Sequence, residues 1–454
     1  MKKLQLLLLT LLLSAGAQAG SVRMKTAKAV GDKLTIAVNY GVPLSLTWSD
    51  GTKEEIVATG QPQELTVKGS TLTLSSEKDI TSLYLADNEL TELNVAGIVG
   101  TLRRLYCPNN QLTKLDLSDC KELVSLDCQG NQLSSLSVGS AQMEDYNVAD
   151  NQLTAIGLRS AGNITSLVCA NNKLTALGYV GSMSGLTSLF CQGNELTSVP
   201  VTRCVELRQL LAYDNKLKTV NTLPLVNLTD LWLGNNQLET LDLSDNTVIV
   251  GLMAENNRLN TIKWNSNMRN TAALAYADLS DNALFLDQLP SMAYKKVTVD
   301  GAIGHQEDYP LFDTDLNVNV ATPSIRSLRR NGWDNSHSVS VVITEAGGQT
   351  LVADEDYKFT GSSFTFLKPY SGVVIAITSD NYPGLDVKTV PFNVIDPAGI
   401  RGVENETVPG SSQKGSDAIY DLSGRKLSET SASSATSGLP KGIYIVNGKK
   451  VVIK

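Results

Sequence analysis

Six cysteines are the side chains of this chain best equipped for chemistry, and their spacing decides how much of it is open to them. Cys107, Cys128, Cys169 and Cys191 sit in the segments LRRLYCPNNQL, LVSLDCQGNQL, ITSLVCANNKL and LTSLFCQGNEL, each three residues before an asparagine. A zinc site needs close pairs of the CxxC kind, and there are none. In an oxidising compartment the remaining chemistry is a disulfide framework. Cysteines at equivalent places on adjacent parallel strands would stand about 4.8 Å apart, in a geometry that does not suit the S–S dihedral. Buried free thiols are therefore the expectation. Cys120 and Cys204 each lie ten residues beyond an asparagine of the same series and 84 residues from one another, too distant to pair.

Other reactive types are sparse. The two histidines, His305 and His337, stand near neither a cysteine nor a paired acid motif. HExxH, GxSxG and GxxxxGK are absent, which removes the sequence support for a zinc peptidase, a serine hydrolase or a nucleotide site. Asp313-Thr314-Asp315-Leu316-Asn317 imitates the opening of a calcium loop. Val318 occupies the place of the turn glycine and no glutamate closes the loop, so a solvated turn is expected. Paired carboxylates for glycoside hydrolysis leave no linear signature. The chain reads as a non-enzyme, with no catalytic residue, metal or cofactor assigned.

What positions the cysteines is a repeat. The pattern LxxLxLxxNxLxxL recurs with asparagines at Asn88, Asn110, Asn131, Asn151, Asn172, Asn194, Asn215, Asn236, Asn257 and Asn282, nearly all 20 to 22 residues apart. Within each unit two apolar residues, such as Leu83 and Leu85 or Leu231 and Leu233, alternate along a short strand and point inward. The asparagine then turns the chain and can bond the backbone of neighbouring coils, which predicts a hydrogen-bonded ladder. One unit cannot bury its apolar face alone, whereas ten stacked units make a continuous core that needs capping at its ends. The fold class read from this pattern is a β-rich leucine-rich-repeat solenoid of parallel strands.

Residues between the inward positions face solvent, on what should be the concave side. Four places before each asparagine stand Tyr84, Tyr106, Asp127, Asn147, Val168, Phe190, Leu211, Trp232, Met253 and Asp278. Val168 through Met253 make five consecutive apolar rungs, about 20 Å long at 4.8 Å per strand. The next outward column places Tyr213 beside Leu211, with mostly small neighbours. Contiguous exposed apolar surface of this kind, rich in Trp, Tyr, Phe and Met, points to a protein ligand. Packing against the chain's own later β-rich region is the structural alternative. A glycan is the second ligand class, stacking on Tyr106, Phe190, Tyr213 and Trp232, but aliphatic Val168, Leu211 and Met253 intervene and the polar groups a sugar needs cluster near Asp127, Asp145, Asn147 and Gln129, away from Trp232. A passive spacer is the third reading.

The remaining segments set boundaries. Residues 1–19 carry Lys2 and Lys3, the apolar run Leu4–Leu13 and an Ala17-Gln18-Ala19 cleavage site, which together make a secretory signal peptide. No later stretch is apolar enough to span a bilayer. Residues 20–79 read as an N-terminal β cap, with runs LTIAV, LSLTW, ELTV and TLTL. The solenoid fills 80–290, ending where Asp287 takes a core place ahead of Leu289-Pro290. Alternating runs over 291–395 predict an immunoglobulin-like β-sandwich. A linker covers 396–415 and a small β tail 416–454. The net charge of −8 arises from 38 basic and 46 acidic residues without single-sign blocks, which excludes a nucleic-acid footprint.

The cysteine-bearing repeats resemble the internalin-type leucine-rich-repeat proteins of bacterial surfaces, in the subgroup where cysteine replaces a strand leucine. The ending IYDLSGRKL…LPKGIYIVNGKKVVIK is similar to the sorting domain of type IX secretion substrates. These resemblances cover about 210 and 39 residues. They imply an exported, adhesin-like protein at the cell surface or outside the cell, recognising a host or community surface protein; the ligands of the families do not carry over.

Overall fold

A computed structural model describes residues 20–157, 162–178, 180–265, 274–284, 315–322, 339–360, 363–379 and 387–396, and the strands Ala418–Tyr420, Lys426–Glu429, Gly442–Val446 and Lys449–Ile453. The expected signal segment 1–19, Asp287, Leu289-Pro290, both histidines, Asp313-Thr314 and residues 397–415 lie outside the described residues.

The repeats build a parallel β-solenoid. Its sheet has 12 strands, of which Lys33–Val38 and Gln63–Thr66 run antiparallel, leaving ten parallel strands joined by nine turns. Each of the ten is three residues long, from Ser82–Tyr84 to Tyr276–Asp278, and its middle residue is buried. The register is unbroken, with Leu83 beside Leu105, Leu105 beside Leu126, and so on to Leu252 beside Ala277. Such short strands cannot hold a sheet alone, and the stacked apolar interior supplies what they lack. Leu90 and Leu238, the leucines after the turn, are fully buried as the pattern requires.

The asparagine series is a ladder in fact. Asn172 is typical: its Oδ1 accepts the Leu153 N–H of the preceding coil at 2.8 Å. Its Nδ2 donates to the carbonyls of Val148 at 3.0 Å, Cys169 at 3.2 Å and Ala170 at 3.1 Å. The pattern repeats through Asn282, which takes the Leu259 N–H and donates to Ala254 and Leu279. One amide thereby satisfies backbone groups that a tight turn would otherwise bury unpaired.

A second column had no place in the reading of the sequence. The residue before every ladder asparagine has a left-handed backbone, φ between 50° and 65°, at Asp87, Asn109, Gly130, Asp150, Asn171, Gly193, Asp214, Asn235, Asn256 and Asp281. Only Asp, Asn and Gly occur there, the types that tolerate this conformation.

The segment ahead of the solenoid forms strands at all four expected runs, and also at Gly20–Thr26 and Lys53–Val57. Lys33–Val38 pairs with Ser82–Tyr84 and, with Gln63–Thr66 at its other edge, continues the solenoid sheet. The other four strands make a second sheet with Leu90–Asn94 of the first repeat, which pairs with Gly20–Thr26. Val22, Met24, Leu44, Leu46, Trp48, Leu72 and Leu74 form its core.

Further along, Leu316–Asn317, Phe392–Ile395, Tyr370–Ser379, Val339–Thr344 and Val387–Lys388 form a five-stranded sheet, and Tyr357–Thr360 with Ser363–Phe366 a hairpin. The segment 418–453 holds a four-stranded antiparallel sheet. Among the described residues, no helix is long and apolar enough to cross a membrane.

Candidate binding face

The outward positions of the parallel strands align as their register dictates. Val168, Phe190, Leu211, Trp232 and Met253 are direct neighbours on consecutive strands, and Asp278 follows Met253. All five are half-buried, each flanked by its neighbours on the adjoining strands. At the other end of the column Tyr84 is 39% exposed and stacks on Tyr106, with ring centroids 4.6 Å apart and planes within 4°. Asp127 and Asn147 lie between, also half-buried. The ten-residue column is thus one continuous line, apolar in its second half and polar in its middle.

The polar middle is largely self-satisfied. Asn147 donates to the Gln129 side chain at 3.1 Å, and Asp127 accepts the Gln129 N–H at 3.1 Å. Burial pushes the Asp127 carboxyl above its ordinary value, against the lowering effect of those bonds. Tyr106 shares a 2.9 Å hydrogen bond with Ser125.

Two flanking columns widen the face. On one side run Arg104, Asp145, Asp230, Gly251 and Tyr276 among serines and a glutamine, a column absent from the sequence reading. Here the Tyr276 ring lies over Gly251, where a Cβ would collide with it, and its hydroxyl donates to Asp230 at 2.7 Å. On the other side Tyr213 approaches Trp232, centroids 6.2 Å apart and tilted by 41°. Small residues there were expected to leave the ridge uncovered. Ala149 and Ala170 are themselves buried, and the space above Gly234 is taken by the Glu255 carboxylate. One Glu255 oxygen is shielded and makes no hydrogen bond, and burial, followed by the charges of Asp278 and Asp214, raises its pKa. The Trp232 indole N–H is shielded and reaches no acceptor within hydrogen-bond distance, and burial, followed by the bond to Asp230, raises the pKa of the Tyr276 hydroxyl.

The cysteines are not part of this face. All six are buried and free. Cys107 and Cys128 occupy adjacent rungs of the second inward column, as do Cys169 and Cys191, with Val148 between the pairs and Ala212 after them. Burial drives the Cys107 and Cys191 thiols to about 12, and Cys120 and Cys204 to about 11. Thiols so protonated are poor nucleophiles and poor metal ligands. Among the described residues no group of His, Cys, Asp and Glu could hold a metal ion.

No family model matches the chain, and none of the curated proteins does. Among solved structures it aligns with the functional domain of InlJ from Listeria monocytogenes, which includes a cysteine ladder. The identity is 18%, covering 72% of this chain and 94% of that one, with a TM-score of 0.32. InlP of Listeria monocytogenes aligns at 15% identity, covering 70% and 88%, with a TM-score of 0.42. The leucine-rich-repeat domain of APL1 aligns at 20% identity with a TM-score of 0.39, and the alignment covers 58% of this chain and 59% of that one, under two thirds of its length. At such TM-scores the overall paths of the chains differ, and the solenoid stands on its own strand register and asparagine bonds.

Proposed function

We propose that this chain is an exported binding protein whose solenoid recognises a protein ligand on the exposed face of its parallel sheet, through Val168, Phe190, Leu211, Tyr213, Trp232 and Met253. The observation that supports this reading is the unbroken register of Val168 to Met253, which lines five large, half-buried apolar side chains in one row. Contiguous apolar surface of that kind is retained where a partner covers it. Export follows from the character of residues 1–19, and the tail 416–454 is read as a sorting or anchoring element. The region 291–395 is read as an immunoglobulin-like sandwich.

Glycan recognition is the second reading, and one observation favours it. The stacked Tyr84–Tyr106 pair adjoins Asp127, Asn147 and Gln129, a mix of ring and polar group that suits a sugar. The mutual bonds of those polar groups, and aliphatic Val168, Leu211 and Met253 along the ridge, weigh toward protein. The test is affinity capture from surface-protein extracts with the full exported chain, beside its Phe190→Ala/Trp232→Ala variant and a glycan array. Capture lost in the variant supports a protein ligand; capture unchanged, or binding to glycans alone, overturns it.

A further inference from the structure

The ridge is apolar, but its surroundings carry one sign of charge. Across the three outward columns of the ten parallel strands the acids are Asp127, Asp145, Asp230, Glu255 and Asp278, against a single cation, Arg104. The whole chain has 38 basic to 46 acidic residues, so the excess on this face is local and not a reflection of composition. The left-handed column on one flank adds further acids and no cation, while the column on the other flank carries Arg103 and Arg208 with Glu144. Among the described residues none of the five acids is ion-paired; the solenoid's lysine ion pairs, such as Lys216 with Glu195 and Lys263 with Asp242, lie off these columns.

Three of the acids gather where the aromatic rings are. Asp230 receives the Tyr276 hydroxyl, Glu255 lies above Gly234, two residues along the chain from Trp232, and Asp278 follows Met253 on the last described strand of the solenoid sheet. A purely apolar partner laid here would bury those carboxylates without a counter-charge, which costs heavily. A purely cationic one would leave Val168, Leu211 and Met253 wet. A second copy of this chain docked through the same face would set like charges against each other.

We propose, resting on the protein-binding reading above, that the occupant of this face is a basic, amphipathic segment: Lys or Arg side chains alternating with apolar anchors. The anchors cover Val168 to Leu211. The cations lie against the rings of Tyr213, Trp232 and Tyr276 and pair with Asp230, Glu255 and Asp278, where ring quadrupole and carboxylate attract the same charge.

The test uses the full exported chain and two synthetic peptides, one alternating Lys with Leu and its Glu counterpart, with binding followed by tryptophan emission and calorimetry. Three variants accompany it: Asp230→Asn/Glu255→Gln/Asp278→Asn on the face, Glu122→Gln/Glu206→Gln/Glu239→Gln off it with the same change in net charge, and Phe190→Ala/Trp232→Ala. The Lys peptide should bind, lose at least about tenfold in affinity with the face variant, and change less than about twofold with the off-face control. The Glu peptide should not bind. Equal binding of both peptides, or equal losses in face and off-face variants, overturns the proposal. A loss confined to Phe190→Ala/Trp232→Ala overturns the basic character of the occupant and leaves the docking face standing, while no loss in any variant removes both.

Discussion

Asn88 and Thr35 exchange two hydrogen bonds: the Thr35 N–H donates to Asn88 Oδ1 at 2.8 Å, and Asn88 Nδ2 donates to the Thr35 carbonyl at 2.6 Å. The asparagine series therefore extends past the first coil and ties in the strand Lys33–Val38. Asn88→Ala would leave both Thr35 groups unpaired in a half-buried place, a loss of about 2–6 kcal/mol at about 1–3 per group. Amide exchange should quicken across Lys33–Val38 while the Ser188–Phe190 strand keeps its protection. Uniform exchange change, or none, contradicts the role given to Asn88.

The left-handed column makes a different demand. Asn235 has φ of 54° and Gly193 φ of 65°. Asn235→Gly should be nearly neutral, whereas Asn235→Val should cost about 1–2 kcal/mol, because a β-branched residue is ill suited to that backbone. Thermal unfolding midpoints of the two variants check it, and equal midpoints would remove the argument.

The repeat, its inward leucines and its asparagines were legible because each rests on a period that sequence displays directly. The left-handed column was equally legible, as the invariable Asp, Asn or Gly before each ladder asparagine, but looking for hydrophobic period alone passes over it. The flanking column of Asp230 and Tyr276 needed a third outward position per strand, which a reading built on the residue between two leucines does not count. Glu255 above Gly234 is a contact between coils, and no spacing rule places a long side chain over its neighbour's glycine. Likewise Leu90–Asn94 joins the N-terminal sheet through antiparallel pairing with residues some seventy positions earlier, a choice made by packing.

The cysteines predict an alkaline limit. Each thiol is buried, and the Cys107 and Cys191 pKa values rise from an ordinary 9.0 to about 12. The folded state then keeps protons that the unfolded chain releases, so stability from these groups is complete below pH 9 and falls as pH climbs toward 12. Native protein at pH 8 should resist iodoacetamide, while unfolded, unreduced protein should yield six alkylated thiols. Two or four would reveal disulfides.

Asp356 carries the opposite dependence. It accepts from Lys368 Nζ at 2.8 Å, the Val352 N–H at 2.8 Å and the Tyr370 hydroxyl at 2.7 Å, which together lower its pKa from 3.8 to about 2. The unfolded chain binds a proton first as pH falls, so this contribution is present above about 3.8 and is lost by about 2. Unfolding midpoints of wild type and Asp356→Asn should differ at pH 6 and converge at pH 2; a constant gap contradicts the assignment.

The central claim, that the ridge from Val168 to Met253 stands open for a partner, is met most directly by thiol labelling of the chain from residue 20 onward. Phe190→Cys and Leu211→Cys should react with a maleimide in the native protein, and Leu189→Cys, one residue inward, should stay unreactive until unfolding. If Phe190→Cys proves as protected as Leu189→Cys, the face is already covered and the proposed docking surface is contradicted.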